Sequence, residues 1–401
     1  MVRAPRPPHP ATVPAYVAFA AFGAFWGVWG ASVPRVQQQA GIGDGRLGFA
    51  LLFVGAGALP AMLLAGRALD RWGPPVAAAA IGALGVAGAG LSVTAAGSAS
   101  LCAGLALVGA ASGAADVTMN ALAGRAEKTT GLPVLTRAHG VFSGLVVLAS
   151  LVTGLASAAS LPLAVPFMAV AVLCLLAGAS LRTTPPSSAV AEQPGRVPAS
   201  APLGRRAAVP LLLIGVLGAL AFASENAHQS WSAVFAHEEL RSGGGLSAVA
   251  PAVFAATVAV TRFSMGGIKA VRARTVLLVG ASAAASGALI IAAAPALPVA
   301  GLGLATAAAG TAVLFPTLLG IVSRSVEESH RGRATSLVTA VSYLGFLVGP
   351  VYVGLWAETA GLRGAMVAVA ALAVALLALA PPLLRPRRPL PTAGGPCRRP
   401  G

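Results

Sequence analysis

Residues 99–124 read ASLCAGLALVGAASGAADVTMNALAG, a run of small and apolar residues with a single charge, Asp116. A stretch this long and this apolar matches the roughly 17–25 residues a helix needs to cross a bilayer. The short alternating pattern of a barrel strand is absent, so a membrane helix is predicted. Its alanines and glycines let neighbouring helices approach closely. The carboxylate asks for a function, because a charge near the bilayer centre costs roughly 2.5–3.5 kcal/mol on insertion scales.

The same pattern recurs along the chain, at 14–34, 46–66, 75–95, 99–124, 134–157 and 161–181, then at 209–236, 246–268, 275–294, 297–323, 332–357 and 361–384. This predicts an all-α membrane protein with twelve transmembrane helices in two six-helix halves, residues 1–181 and 209–384. Between them, 182–208 is rich in Pro, Ser and Ala and reads as a cytoplasmic linker. Residues 385–401, rich in Pro, Gly and Arg, read as a disordered cytoplasmic tail. Composition agrees: 57% of residues are hydrophobic and only 9% charged, against about 25% charged in a soluble domain. No segment outside the spans is long enough for a separate catalytic domain, so an enzyme is not expected. Arg3 and Arg6 precede an apolar run longer than a signal peptide's, which reads as a retained first helix.

The net charge of +16 is distributed unevenly. With the N-terminus placed in the cytoplasm, only Arg35, Arg46, Arg241 and Arg363 fall in outer loops; Arg262 lies inside the eighth span, and every other basic residue is inner. That asymmetry is the positive-inside rule. It predicts a multi-pass protein of the cell inner membrane with both termini cytoplasmic, in contact with anionic lipids on the inner face. Nucleic acid is excluded as a partner, because no basic face carries aromatic stacking groups. Cys102, Cys174 and Cys397 have no metal-like spacing and suggest no disulfide framework. No metal or cofactor is expected, and no Gly-rich loop is followed by Lys-Ser/Thr for ATP drive.

Of eleven acidic residues, only Asp116 and Glu225 lie well inside apolar spans, one in each half. Asp116 and Asn120 stand at i and i+4 on one face of span four. In span seven, Glu225, Asn226, His228 and Gln229 are clustered, with Glu225, His228 and Gln229 on one stripe and Trp231 beyond. Such a stripe must face a cavity or another helix, because lipid offers no partners. Arg137 and His139, at the start of span five, are the expected partners of Asp116. Glu225 has fewer cations nearby and is the stronger candidate for a proton site. Trp26, Trp29 and Trp231, with Phe25, are candidates to line a cavity and stack on a solute. Arg262 is expected to snorkel to the inner surface.

The loop after span two, Gly66-Arg67-Ala68-Leu69-Asp70-Arg71-Trp72-Gly73, resembles the Gly-x-x-x-Asp-Arg-x-Gly signature of the major facilitator superfamily. The resemblance implies secondary transport by alternating access, with Gly66, Asp70, Arg71 and Gly73 forming a conformational gate. The matching loop of the second half, Arg262 to Lys269, lacks the acid. Asp116-x-x-x-Asn120 followed by Arg137-Ala138-His139-Gly140-Val141-Phe142-Ser143-Gly144 resembles an uncharacterised bacterial inner-membrane branch near the fucose–proton symporter group. Those symporters carry an acid in span one, which this chain does not. The resemblance implies a small-molecule substrate and protons as partners, and a monomer. A multidrug efflux antiporter is the alternative within transport, although span five lacks the Gly-Pro motif common in efflux proteins. A transporter-like sensor is the alternative outside it. Burial disfavours the charged form of a carboxyl, so Asp116 or Glu225 can take up a proton on one side and release it on the other.

Overall fold

The computed structural model describes residues 12–183, 205–265, 273–326 and 328–384, and every regular element there is helical. The helices are α1 (Val13–Ala40), α2 (Asp44–Trp72), α3 (Pro75–Thr94), α4 (Ser98–Thr130), α5 (Val134–Ala158) and α6 (Ala164–Thr183). They continue as α7 (Arg205–Val234), α8 (Val249–Met265), α9 (Ala273–Ala293), α10 (Leu297–Ser325) and α11 (Glu328–Leu383). A π-helical turn, Phe235–Glu239, extends α7, and a single helical turn, Gly244–Ser247, precedes α8. Among the described residues, 11 helices are long and apolar enough to cross a membrane.

Helices α1, α2, α4 and α7 outrun the apolar runs that announce them. A hydropathy pattern marks only the bilayer-crossing part, whereas the helix continues until a residue leaves helical backbone geometry. Thus α1 carries on past Pro34 and three glutamines to Gly41, whose φ of 62° is the left-handed cap. The last two expected spans lie in one stretch of 56 residues whose two helical limbs join without an intervening loop. It breaks at Gly361, with φ of 71° and ψ of 171°, into limbs of residues 328–360 and 362–383. The limbs fold back on each other: Tyr352 Oη donates to the Ala368 carbonyl at 3.0 Å. The expected linker and tail lie outside the described residues, apart from 182–183 and 205–208.

Within the bundle, α1 packs on α5, α2 on α4, and α3 on α6; α7 packs on α11, α8 on α10, and α9 on α10 and α11. The closest approaches are backbone against backbone. A Cβ on Gly113 would sit 2.6 Å from the Ala58 carbonyl oxygen, and one on Gly109 would strike the Val54 carbonyl, so α2 and α4 meet only because these residues are glycine. Gly109→Leu is expected to lower stability by about 1–3 kcal/mol through overpacking. It should appear as a clear fall in melting temperature in detergent. Gly90→Ala, with nothing within 4 Å of its Cβ position, should leave melting unchanged.

The bundle has two ends. The distal end holds the junctions at Gly41, residues 95–97 and Gly361; the proximal end holds those at Gly73 and Gly131.

Candidate functional site

Asp116 lies about 27 Å along α4 from Ser98 and about 21 Å from Thr130, at 1.5 Å per residue. It is half-buried. Asn120 Nδ2 donates to its Oδ1 at 3.1 Å and to its backbone carbonyl at 2.9 Å, the i, i+4 pairing that α-helix geometry provides. Thr118 turns away and donates to the Ala114 carbonyl at 2.8 Å. Across the bundle, Tyr343 of α11 is close enough to Asp116 for the two to interact electrostatically.

Arg137 and His139 do not pair with Asp116. Glu127, in the last turn of α4, accepts a hydrogen bond from the Leu135 backbone N–H at 3.0 Å and so fixes the start of α5. This register leaves Arg137 exposed, and no hydrogen bond or ion pair joins it to Asp116 among the described residues. His139 instead lies edge-on to Phe19, with ring centroids 4.9 Å apart, and faces Arg262 closely enough for their charges to interact.

The expectation for Arg262 and Glu225 is overturned by the same geometry. Arg262 does not snorkel: its Nη2 donates to Glu225 Oε1 at 2.9 Å, and its Nε to the Ala312 carbonyl of α10 at 3.4 Å. The physical reason is direction. Helix α8 runs from the distal to the proximal end, and Cβ bonds tilt towards a helix N-terminus, so the side chain reaches back into the bundle. Glu225 therefore has a cation in contact, and Asp116 has none among the described residues. Glu225 sits about 30 Å of helix from Arg205 and about 21 Å from Glu239, well inside the bundle. Its neighbours on α7 divide their roles. Asn226 is buried and donates to the Phe346 carbonyl at 2.6 Å, which ties α7 to α11. His228 is buried, its Nδ1 2.7 Å from the Ser224 carbonyl and its ring stacked on Phe254. Gln229 is exposed.

The aromatic candidates are mostly packing. Trp231, Phe25 and Trp29 are buried in the main core, and Phe25 packs against Gly88 of α3, away from the acids. Trp26 is half-buried, with T-shaped contacts to Phe22 and Phe25. A second aromatic group, unsuspected from the sequence, stands beside Asp116's neighbour: Phe222 lies 4.2 Å from Phe315 and 5.6 Å from Tyr343 between ring centroids.

The distal end is closed tightly between the helices α1–α6 and the rest. Gly48 and Gly354 bring α2 and α11 into backbone contact, with a Cβ on either only 2.8–2.9 Å from the other's Cα. Gly154 of α5 packs on Gly245 and Ala248 in the same way. Gln38 and His237 approach at 2.7 Å, and Gln37 donates to Asp44 at 2.8 Å. Arg363 is held by Glu239 at 2.6 Å and by the carbonyls of Ala292 and Ala294. The proximal end differs. Asp70 and Arg71 are exposed, Arg71 stacks over Trp72 at 5.5 Å, and Asp70 has no ion pair among the described residues. Gly66 has open space around it, and Gly73 takes φ of 70° at the end of α2. The second loop's Gly266 to Lys269 lies outside the described residues.

A helical bundle closed at one end, with ion pairs joining its helices, invites comparison with membrane carriers. The family model of the Major Facilitator Superfamily matches residues 15–305 and 268–396. The chain belongs to that superfamily. It is a multi-pass membrane protein with the all-helical fold of these transporters. An MFS-type transporter of Yersinia pestis is 28% identical over 352 residues, covering 87% of this chain and 89% of its own. The nucleoside transporter NupG has the same fold with a TM-score of 0.75 at 13% identity, covering 94% of this chain and 100% of its own. A D-xylose–proton symporter matches with a TM-score of 0.72 at 16% identity, covering 92% and 96%. The chain is thus a secondary transporter of small solutes in kind.

Proposed function

We infer that this protein moves a small organic solute by alternating access and couples that movement to protons through Asp116 and Glu225. The observation that carries the reading is the pair of acids on α4 and α7, deep in the bundle. One is bonded only to Asn120 among the described residues, the other held by Arg262. Bare structural acids need neither depth nor a half-exposed partner, whereas a proton carrier needs both burial and a route to water. The fold shared with a D-xylose–proton symporter is compatible with proton coupling in this chain.

The packing supports a twelve-crossing, two-half reading. The pairs α1–α5, α2–α4 and α3–α6 recur as α7 with the first limb of α11, through Gly349 on Ala223, and as α8 with α10. The third pair is α9 with the second limb, through Ala284, Ala285 and Ala373. An element of 56 residues would run about 84 Å as one helix, far beyond a bilayer, so its break at Gly361 supports two crossings. The excess of inner arginines argues for the proximal end in the cytoplasm, the distal closure on the outside and both termini within. The state is then inward-facing, with the Gly66–Gly73 gate unlatched. The protein acts as a monomer in the inner membrane, its inner face against anionic lipids.

Proteoliposomes with a trapped pH dye, challenged with sugars, nucleosides, amino acids and carboxylates, test the coupling. A transported solute should move protons with wild-type protein, and Asp116→Asn or Glu225→Gln should reduce that movement at least tenfold. Full response to a pH gradient in both variants would refute the assignment.

A further inference from the structure

Arg262 is bound only in part. Its side chain is 47% exposed although its partners come from α7 and α10 and His139 faces it from α5, so the guanidinium borders solvent-reachable space between helices. Of its three nitrogens, Nη2 serves Glu225 and Nε makes a long 3.4 Å contact; Nη1 has no partner among the described residues. A guanidinium presents donors in a fixed fork that matches a carboxylate. Here one prong is taken by an internal carboxylate and the other is open.

We propose that Arg262 is the substrate receptor, that the substrate carries a carboxylate, and that Glu225 is the internal anion this substrate displaces. The inference rests on the proton-coupled reading above and names its substrate class. The exchange balances. Glu225 takes one proton on its carboxylate and becomes neutral, its hydrogen bond to Arg262 weakens, and the solute carboxylate takes its place. One proton and one negative charge enter together, and the site keeps its cation and a single counter-anion throughout. A dianionic phosphate would leave it with excess negative charge, and a neutral solute would leave Arg262 without a counter-ion once Glu225 is protonated. Coupling follows without further parts, since the solute binds well only where the proton is bound.

The other titratable group facing this pair is His139 from α5, whose charge interacts with that of Arg262; Tyr343 of α11 interacts instead with Asp116 of α4. His228, on α7 itself, is turned onto Phe254. The remaining charges on the helices packed against α7 and α8 stand near helix ends, as Arg35, Arg137 and Arg324 do. Protonation of His139 would add a second cation facing the same space and favour an anion further.

Matched pairs of monocarboxylates and amides test this on the full-length purified protein: lactate and lactamide, propionate and propionamide, benzoate and benzamide. Binding is read by thermal shift at pH 5.5 and 8.0, and proton uptake by an indicator in weak buffer. A carboxylate should bind at least tenfold more tightly at pH 5.5, take up about one proton per molecule bound, and outbind its amide at least tenfold. Glu225→Gln, in a His139→Gln background that removes the facing imidazole, should bind the carboxylate equally at both pH values with no proton uptake. Arg262→Gln should lose binding at least tenfold and Arg262→Lys retain part of it, which separates lost recognition from misfolding. Equal binding of an amide, undiminished binding by Arg262→Gln, or indifference to every carboxylate would overturn the proposal. A neutral solute that drives proton uptake through Glu225 would sink the carboxylate assignment and leave proton-coupled transport standing. Transport with no proton movement in any variant would sink both.

Discussion

Arg262→Leu is expected to destabilise the protein by about 2–3 kcal/mol. Removing one partner of a fully buried ion pair costs about 3–5 kcal/mol, because the other charge is left unsolvated and unpaired. The lower figure applies because the guanidinium is 47% exposed and solvent already screens part of the attraction, while Glu225, with 16% exposed, stays largely desolvated. The penalty should shrink as pH falls, since an unpaired carboxylate relieves itself by taking a proton. The double variant Arg262→Leu/Glu225→Leu should recover most of the loss, because an apolar pair needs no counter-charge there. Melting temperatures in detergent for the wild type, both single variants and the double variant, at pH 5.5 and 8.0, measure the coupling directly. Additive single effects would mean that the 2.9 Å contact contributes nothing to stability.

The sequence hides this pair for a physical reason. Arg262 is a charge inside an apolar span, just as Asp116 and Glu225 are. Its long stem, however, makes the surface an equally good destination on paper. Helical periodicity says which residues share a face, but not which neighbouring helix that face meets. Only the packing of α8 against α7 and α10 sets Arg262 beside Glu225 and the Ala312 carbonyl. Asp116 with Asn120 was readable because both lie on one helix, where spacing alone fixes contact. Its surroundings across the bundle were not: Arg137 and His139 are nearer in sequence, while the group that interacts with it electrostatically is Tyr343 of α11. The tryptophans fail for a related reason. Aromatic content marks volume to be filled, and whether Trp231 fills core or lines a cavity depends on what packs over it. Membrane class, span positions and superfamily were legible, since hydropathy, charge asymmetry and one loop motif carry them locally. The break at Gly361 was legible only as a gap between two apolar runs; the left-handed glycine that makes it is a backbone fact.

The second large effect follows from the distal closure. Gly245 would bring a Cβ to 2.9 Å from that of Ala158, which links α5 to the turn before α8 across the closed end. Disulfide geometry needs a Cβ separation of about 3.5–4.5 Å, so a slight relaxation of this contact allows a bridge. Ala158→Cys with Gly245→Cys, in a background lacking Cys102, Cys174 and Cys397, should therefore cross-link efficiently on oxidation. If the solute path opens by parting this end, the bridge holds the protein with its distal side shut and the proximal side accessible. Transport in proteoliposomes should fall at least tenfold on oxidation and return with reductant, while solute binding from the proximal side persists. The reversibility matters, because it separates a conformational lock from damage to the site around Arg262. Each single cysteine variant should transport to the same extent with and without the oxidant. Undiminished transport by the fully cross-linked protein would show that α5 and α8 do not separate during the cycle, and alternating access by rocking about the site would have to be abandoned for this chain.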